Sequence, residues 1–293
     1  MGLALFAAVL PAEALELRTE VLAKGLNHPW AIAFIDDKNM LVTERPGRLQ
    51  LVQPGKPLVT VSGLPKIEAG GQGGLLDIIV DSKFATNRTV YFCYSEAAND
   101  KTGGSGNSTA LASARLSDDG KALDNVKVLF SQQPKYRSAL HFGCRIVENP
   151  DGTLFLGLGD RSHRMQDAQT LDNHHGKIVR IRKDGSVPPD NPYVKTQGAL
   201  PEIWSIGHRN IQGAVRGSNG GLWIHEHGPQ GGDEVNRIEP GKNYGWPVIT
   251  YGEQYGGGKI GDGITTKAGM EQPVHQWTPS IGPSGMALLQ SDR

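Results

Sequence analysis

An all-β fold is what this sequence predicts, and three observations predict it. Short apolar runs alternate with tight-turn residues, apolar and polar positions alternate within the runs, and no sustained amphipathic helix is found. Taken in order, Met40 to Val52 (MLVTERPGRLQLV) reads as two strands about a Pro-Gly turn, and Thr89 to Ser95 (TVYFCYS) as a strand. Gly152 to Asp160 (GTLFLGLGD) and Lys177 to Gly185 (KIVRIRKDG) read as further strands punctuated by Asp-Gly turns. The best helix candidate, around Ala110 to Leu116, is brief, and the Gly-, Ser- and Asn-rich stretch from Ala97 to Ser108 reads as a surface loop. Thirty-nine glycines and eighteen prolines in 293 residues, without a collagen period, serve many tight turns.

Weak internal similarity narrows the all-β class to a propeller. His28 to Phe34, Gly73 to Val80 and His141 to Val147 each lead from small or polar residues into an apolar strand, followed by a polar turn and another strand. Such recurrence suits blades whose inner strands start at a shared central channel. No composition shift marks a domain boundary, so residues 15–293 read as one propeller domain.

Equal totals of 30 basic and 30 acidic residues, with no long basic run, argue against a nucleic-acid footprint. The first 14 residues, apolar and ending in Ala12-Glu13-Ala14, have the form of a signal-peptide remnant without its basic start, and are too short to span a bilayer. Cys93 and Cys144 permit one disulfide without indicating it, and buried free thiols are the expectation.

Several segments could carry chemistry. His141 starts one strand and Asp160 ends the next, so the intervening Asn149-Pro150-Asp151-Gly152 turn brings both to one end of a sheet. There the carboxylate can fix the imidazole tautomer, as a general base requires, although this pairing is also a common structural device. Gln72 lies in a glycine-rich bend that permits close backbone approach, and Arg209-Asn210 forms a donor-rich pair suited to carboxylate or quinone oxygens. Ordinary turns explain both segments equally well. In HEHGPQGGDE, from His225 to Glu234, the carbonyls around Gly228 and Pro229 and the carboxylates of Asp233 and Glu234 supply hard oxygens suited to Ca²⁺. His225 and His227 could face one way from a strand, but further transition-metal ligands at convincing spacing are lacking. Asn243 to Pro247 (NYGWP) reads as structural, with its aromatics packed against a turn.

Together, Asn27 to Ala31 (NHPWA), GGQGGLLDI from Gly70, HFGCRIV from His141, GHRNIQG from Gly207, HEHGPQGGDE and GKNYGWP from Gly241 resemble the soluble aldose (glucose/sorbosone) dehydrogenases that use pyrroloquinoline quinone (PQQ). Each motif is weak alone, but six in family order cover nearly the whole chain. The resemblance implies a six-bladed β-propeller of four-stranded antiparallel blades, exported to the periplasm, that oxidises the anomeric hydroxyl of aldoses to lactones. It also implies an external electron acceptor and a quinone lying over the central channel with Ca²⁺. Position by position, His141 matches the catalytic base and Asp160 the carboxylate orienting it, and Gln72, Arg209 and Asn210 match residues around the quinone. Gly228 and Pro229 match backbone ligands of the cofactor Ca²⁺, while Asp233 and Glu234 fall in the same loop and would serve a structural calcium.

Two departures from the family pattern carry expectations. Cys144 stands where glycine is usual, which would narrow the pocket, and the sequence ends before the family's last blade and its cationic residues, so that blade is expected to be missing or incomplete. Two other functions remain open. One is a calcium-dependent propeller lactonase, which would need carboxylates and amides converging from several blades; the other is a non-catalytic propeller binding module.

Overall fold

A computed structural model describes residues 19–99 and 105–289. The possible signal remnant at residues 1–14 lies outside them. Sixteen strands form four antiparallel four-stranded sheets, each built from strands consecutive in sequence. The first contains β1 (Pro29–Phe34), β2 (Met40–Glu44), β3 (Arg48–Val52) and β4 (Val59–Val61), and the second β5 (Leu75–Val80), β6 (Thr89–Ala97), β7 (Asn107–Leu116) and β8 (Leu123–Ser131). The third contains β9 (Gly143–Glu148), β10 (Thr153–Leu158), β11 (Lys177–Arg182) and β12 (Ile203–Ile206), and the fourth β13 (Ile211–Arg216), β14 (Leu222–Glu226), β15 (Asp233–Ile238) and β16 (His275–Trp277). Inner strands β1, β5, β9 and β13 pack in that order around a channel, as in a propeller.

Period-two alternation sends successive residues of a strand into successive inter-blade cores. On β6, Val90, Phe92 and Tyr94 enter the core shared with the first blade, whereas Tyr91 and Cys93 enter the core shared with the third. On β10, Leu154, Leu156 and Leu158 face the second blade and Phe155 the fourth. A strand buried on both faces has no need of polar positions, which is why GTLFLGLGD is nearly all apolar. Each such large side chain contributes roughly 1.5–3 kcal/mol by burial.

Four expectations change. Ala110 to Leu116 is no helix but most of β7, because its small residues sit in a sheet covered on both faces. Cys93 and Cys144 are not free thiols: they form a disulfide with Cα atoms 5.9 Å apart, joining the second blade to the inner strand of the third. Cys144 therefore points into the inter-blade core and does not narrow the channel. Finally, the described residues form four blades, where six with the last incomplete were expected. The excursion from β15 to β16 folds back against the third and fourth blades. Among the described residues, no packing comparable to that between successive blades joins β13 back to β1. Ile32 and Phe34, 58% and 59% exposed, lie on the corresponding free face of β1.

Candidate active site

His141 and Asp160 sit at the same end of the third blade because the β9–β10 hairpin pairs the strands that carry them. His141 Nδ1 lies 2.6 Å from Asp160 Oδ1. That oxygen also accepts the backbone N–H of Ser162 at 2.7 Å, and Asp160 Oδ2 accepts Trp246 Nε1–H at 2.7 Å. With both carboxylate oxygens occupied by donors, Nδ1 is the protonated nitrogen and Nε2 keeps its lone pair. Among the described residues Nε2 has no hydrogen-bond partner, and it is not sealed from solvent. Burial lowers the His141 pKa from its ordinary 6.5, and the charges of Arg209 and Arg161 push the same way, against the opposing pull of Asp160. The imidazole is thus neutral at pH 7 and ready to accept a proton.

Gly159 makes this geometry possible. A Cβ there would lie 2.0 Å from the His141 carbonyl oxygen, so only glycine allows the two chain segments to approach this closely. His141 itself adopts φ +50°, and its backbone N–H donates to Gln72 Oε1 at 2.8 Å, tying the glycine-rich bend of the second blade to the base.

Arg209 and Asn210 lie just before β13. Glu226 anchors this turn by accepting the Arg209 backbone N–H at 2.6 Å and pairing with His208 Nδ1 at 2.9 Å. The Arg209 guanidinium donates to the carbonyls of His227 (3.0 Å) and Gly228 (2.7 Å) and lies over the Trp246 ring. Its Nε is buried without a partner. Asn210 accepts the backbone N–H of Gly143 through Oδ1. Among the described residues, neither the Asn210 nor the Gln72 amide NH₂ donates a hydrogen bond to protein. A cavity of about 280 Å³ beside them is lined by Gln72, Asn210, His227 and Arg45 among others. Hence His141, Asp160, Gln72, Arg209, Asn210 and Gly228 converge from three blades and one loop.

The acidic end of HEHGPQGGDE behaves differently. Asp233, expected to serve a cation, is held by the protein through both oxygens: Oδ1 accepts the Gly228 N–H at 3.0 Å and keeps a second lone pair, and Oδ2 accepts Ser280 Oγ and the N–H groups of Ile281 and Gly282. It shapes the loop and ties it to residues 280–282. Glu234 stands opposite Glu226 in the β14–β15 register and, among the described residues, accepts only Asn236 Nδ2. Burial, reinforced by repulsion from Glu226, pushes its carboxyl up to about 8. His225 and His227 turn their Nε2 atoms to the carbonyls of Gly285 and Pro283. No group of three or more His, Cys, Asp or Glu side chains suited to a metal occurs among the described residues.

Trp246 and Arg161 were missed from sequence. Trp246 is 86 residues from Asp160, and only the fold-back of residues 242–246 onto Ile206 and Gly207 delivers its indole N–H to that carboxylate. Arg161, adjacent to Asp160, carried no motif of its own. Tyr255, whose hydroxyl lies 3.4 Å from Arg209 Nη2, is a third such residue.

The model of the Glucose / Sorbosone dehydrogenase family matches residues 26–293. The chain belongs to this family of dehydrogenases. It is 45% identical to the aldose sugar dehydrogenase YliI of Escherichia coli K12 over 281 residues, covering 94% of this chain and 74% of that one. The crystal structure of the soluble aldose sugar dehydrogenase of E. coli, in its apo-form, superposes with a TM-score of 0.88 at 44% identity, covering 94% of this chain and 79% of that one. The PQQ-bound form of the aldose sugar dehydrogenase of Streptomyces coelicolor superposes with a TM-score of 0.74 at 29% identity, covering 91% and 73%.

The residues present fit a quinone bearing carboxylates. Among the described residues, Arg209 Nε and the Gln72 and Asn210 amide NH₂ groups are donors with no protein acceptor. A cation can be held by Pro229 O, which accepts no protein hydrogen bond among the described residues, and by Gly228 O, which it would share with Arg209. Two carbonyls are a minority of the six to eight oxygens typical of Ca²⁺.

Proposed function

We propose that this chain is a quinoprotein that oxidises the anomeric C1 hydroxyl of aldoses to lactones, using PQQ with Ca²⁺ and passing electrons to an external acceptor. One observation carries the reading: the His141–Asp160 pair leaves Nε2 of a neutral, mostly buried imidazole without a hydrogen-bond partner among the described residues. When bound, PQQ supplies the two-electron acceptor for the hydride leaving C1, and Ca²⁺ the charge that polarises its carbonyl.

The protein's own residues do the rest. His141 Nε2 takes the C1 hydroxyl proton, and Asp160, unable to turn away while Ser162 and Trp246 hold it, stabilises the imidazolium that forms. Arg209 brings a permanent positive charge to the place where the acceptor becomes electron-rich. Gln72 and Asn210 would orient the quinone through their amide NH₂ groups, and the carbonyls of Gly228 and Pro229 would hold the calcium. Asp233, through Oδ1, and Glu234 are the carboxylates of this segment that would serve a structural calcium.

The same reading takes the four sheets as part of a six-bladed ring, supported by the 79% share of the E. coli chain that they cover. A periplasmic location is supported by the apolar N-terminal run and by the disulfide, which persists in oxidising compartments. No helix among the described residues is long and apolar enough to cross a membrane. A calcium-dependent lactonase has less support, because converging side-chain carboxylates are lacking among the described residues.

The test is reconstitution. The full chain with PQQ and excess Ca²⁺ is expected to take up quinone, followed by its absorbance, and to reduce an artificial dye when aldose is added. Quinone uptake with no aldose-dependent reduction, or no uptake at saturating Ca²⁺, refutes the assignment.

A further inference from the structure

Arg161 is fully buried, an expensive position for a guanidinium. No carboxylate pairs with it among the described residues, and the oxygens of its neighbour Asp160 are spent on His141, Ser162 and Trp246. Instead it grips the backbone that carries His141. Nη1 donates to Leu140 O and Nη2 to Ser138 O, both at 2.6 Å, Nη2 also donates to Asn107 Oδ1, and the Arg161 backbone N–H donates to His141 O at 3.3 Å. The guanidinium lies 3.7 Å from the centre of the Phe142 ring, on the other side of His141 in sequence. Both residues have positive φ, +50° for His141 and +60° for Arg161, a conformation that non-glycine residues keep only when their surroundings enforce it.

We infer that Arg161 is a positioning residue for the base. Its planar fork clamps residues 138–142 so that His141 keeps Nδ1 on Asp160 and Nε2 toward the cleft, and its charge disfavours protonation of the imidazole. A lysine could not replace it fully, because one ammonium cannot reproduce the fork that spans two carbonyls and an amide. The charged groups facing His141 are Asp160, Arg161 and Arg209, and the two cations oppose the one acid. Burial lowers the Arg161 pKa to about 9, which still leaves it charged at neutral pH.

The catalytic part of this inference rests on the dehydrogenase reading, so the test has an arm that does not need activity. In the quinone-free full chain, the His141 titration midpoint is measured by NMR in wild type, Arg161→Met and Arg161→Lys. Removing the charge is expected to raise the midpoint, while lysine leaves it in place. In reconstituted enzyme, Arg161→Lys is expected to lower kcat roughly tenfold or more with KM nearly unchanged, because misplacing a base affects the chemical step. Asn107→Ala, which removes one anchor and no charge, is expected to lower kcat less and to leave the midpoint fixed. If Arg161→Met does not fold, the lysine and Asn107 variants decide. A wild-type midpoint in folded Arg161→Met, or wild-type kcat in both Arg161→Lys and Asn107→Ala, overturns the proposal. An inactive wild type would defeat the dehydrogenase reading, while the NMR arm still decides the electrostatic role of Arg161.

Discussion

Replacing Asp160 by Asn separates the charge of the orienting group from its shape. Asp160 accepts three donors: His141 Nδ1–H and Ser162 N–H on one oxygen, and Trp246 Nε1–H on the other. An asparagine satisfies most of them with its carbonyl toward His141 and Ser162, so the tautomer survives and only the indole loses its acceptor. What disappears is the negative charge beside the imidazolium that forms as the hydroxyl proton transfers. Asp160 is fully buried and His141 nearly so, which keeps solvent screening weak. Two unit charges about 4 Å apart at an effective dielectric constant of about 20 interact by roughly 4 kcal/mol. At about 1.4 kcal/mol per decade, kcat should fall about a thousandfold. Dye-linked steady-state oxidation of an aldose should show that fall with little change in KM. The orphaned indole adds about 1–3 kcal/mol of instability, which Trp246→Phe should largely relieve in the double variant without restoring kcat. A kcat for Asp160→Asn within about tenfold of wild type would refute the base assignment.

Four further outcomes follow from the geometry. The His141 pKa is lowered chiefly by burial, so neutral base is present above the folded pKa and lost as pH falls through it; the acid limb of kcat/KM should lie below 6.5, and a limb above 7 would contradict this. His174 and His175 are lowered by burial as well, so the unfolded chain binds protons that the folded one refuses, and urea midpoints should drop as pH falls below 6.5. Cys93→Ser should cost about 4 kcal/mol by the chain-entropy relation for a 51-residue separation, read as a lower thermal midpoint that reductant no longer shifts. Gly159→Ala forces a Cβ to 2.0 Å from the His141 carbonyl and should cut kcat by roughly a hundredfold in whatever protein folds; unchanged kcat would mean that the base tolerates displacement.

Much of the fold was legible because its code is local. Turn residues at Pro46-Gly47 and Asp151-Gly152 punctuate the hairpins, and the lead-ins at His28, Gly73 and His141 announce three of the four inner strands. The His141–Asp160 pair was legible for the same reason, since one short hairpin joins them. Ala110 to Leu116 was misread because small residues suit a helix until a sheet covers them on both sides.

The sequence by itself determined the all-β class, the family motifs and the hairpin that brings a histidine to a carboxylate, all of which depend on neighbours a few residues to about twenty apart. Only the tertiary structure decided how the site's atoms are used. It tied Asp233 to Gly228 on one side and to residues 280–282 on the other, turned Cys144 onto Cys93, carried Trp246 across to Asp160 and set Arg161 behind the base. Each outcome depends on groups that meet only when separate segments close upon one another. Whether a carboxylate can serve a cation, or an imidazole a proton, is then set by which of its lone pairs those segments leave free.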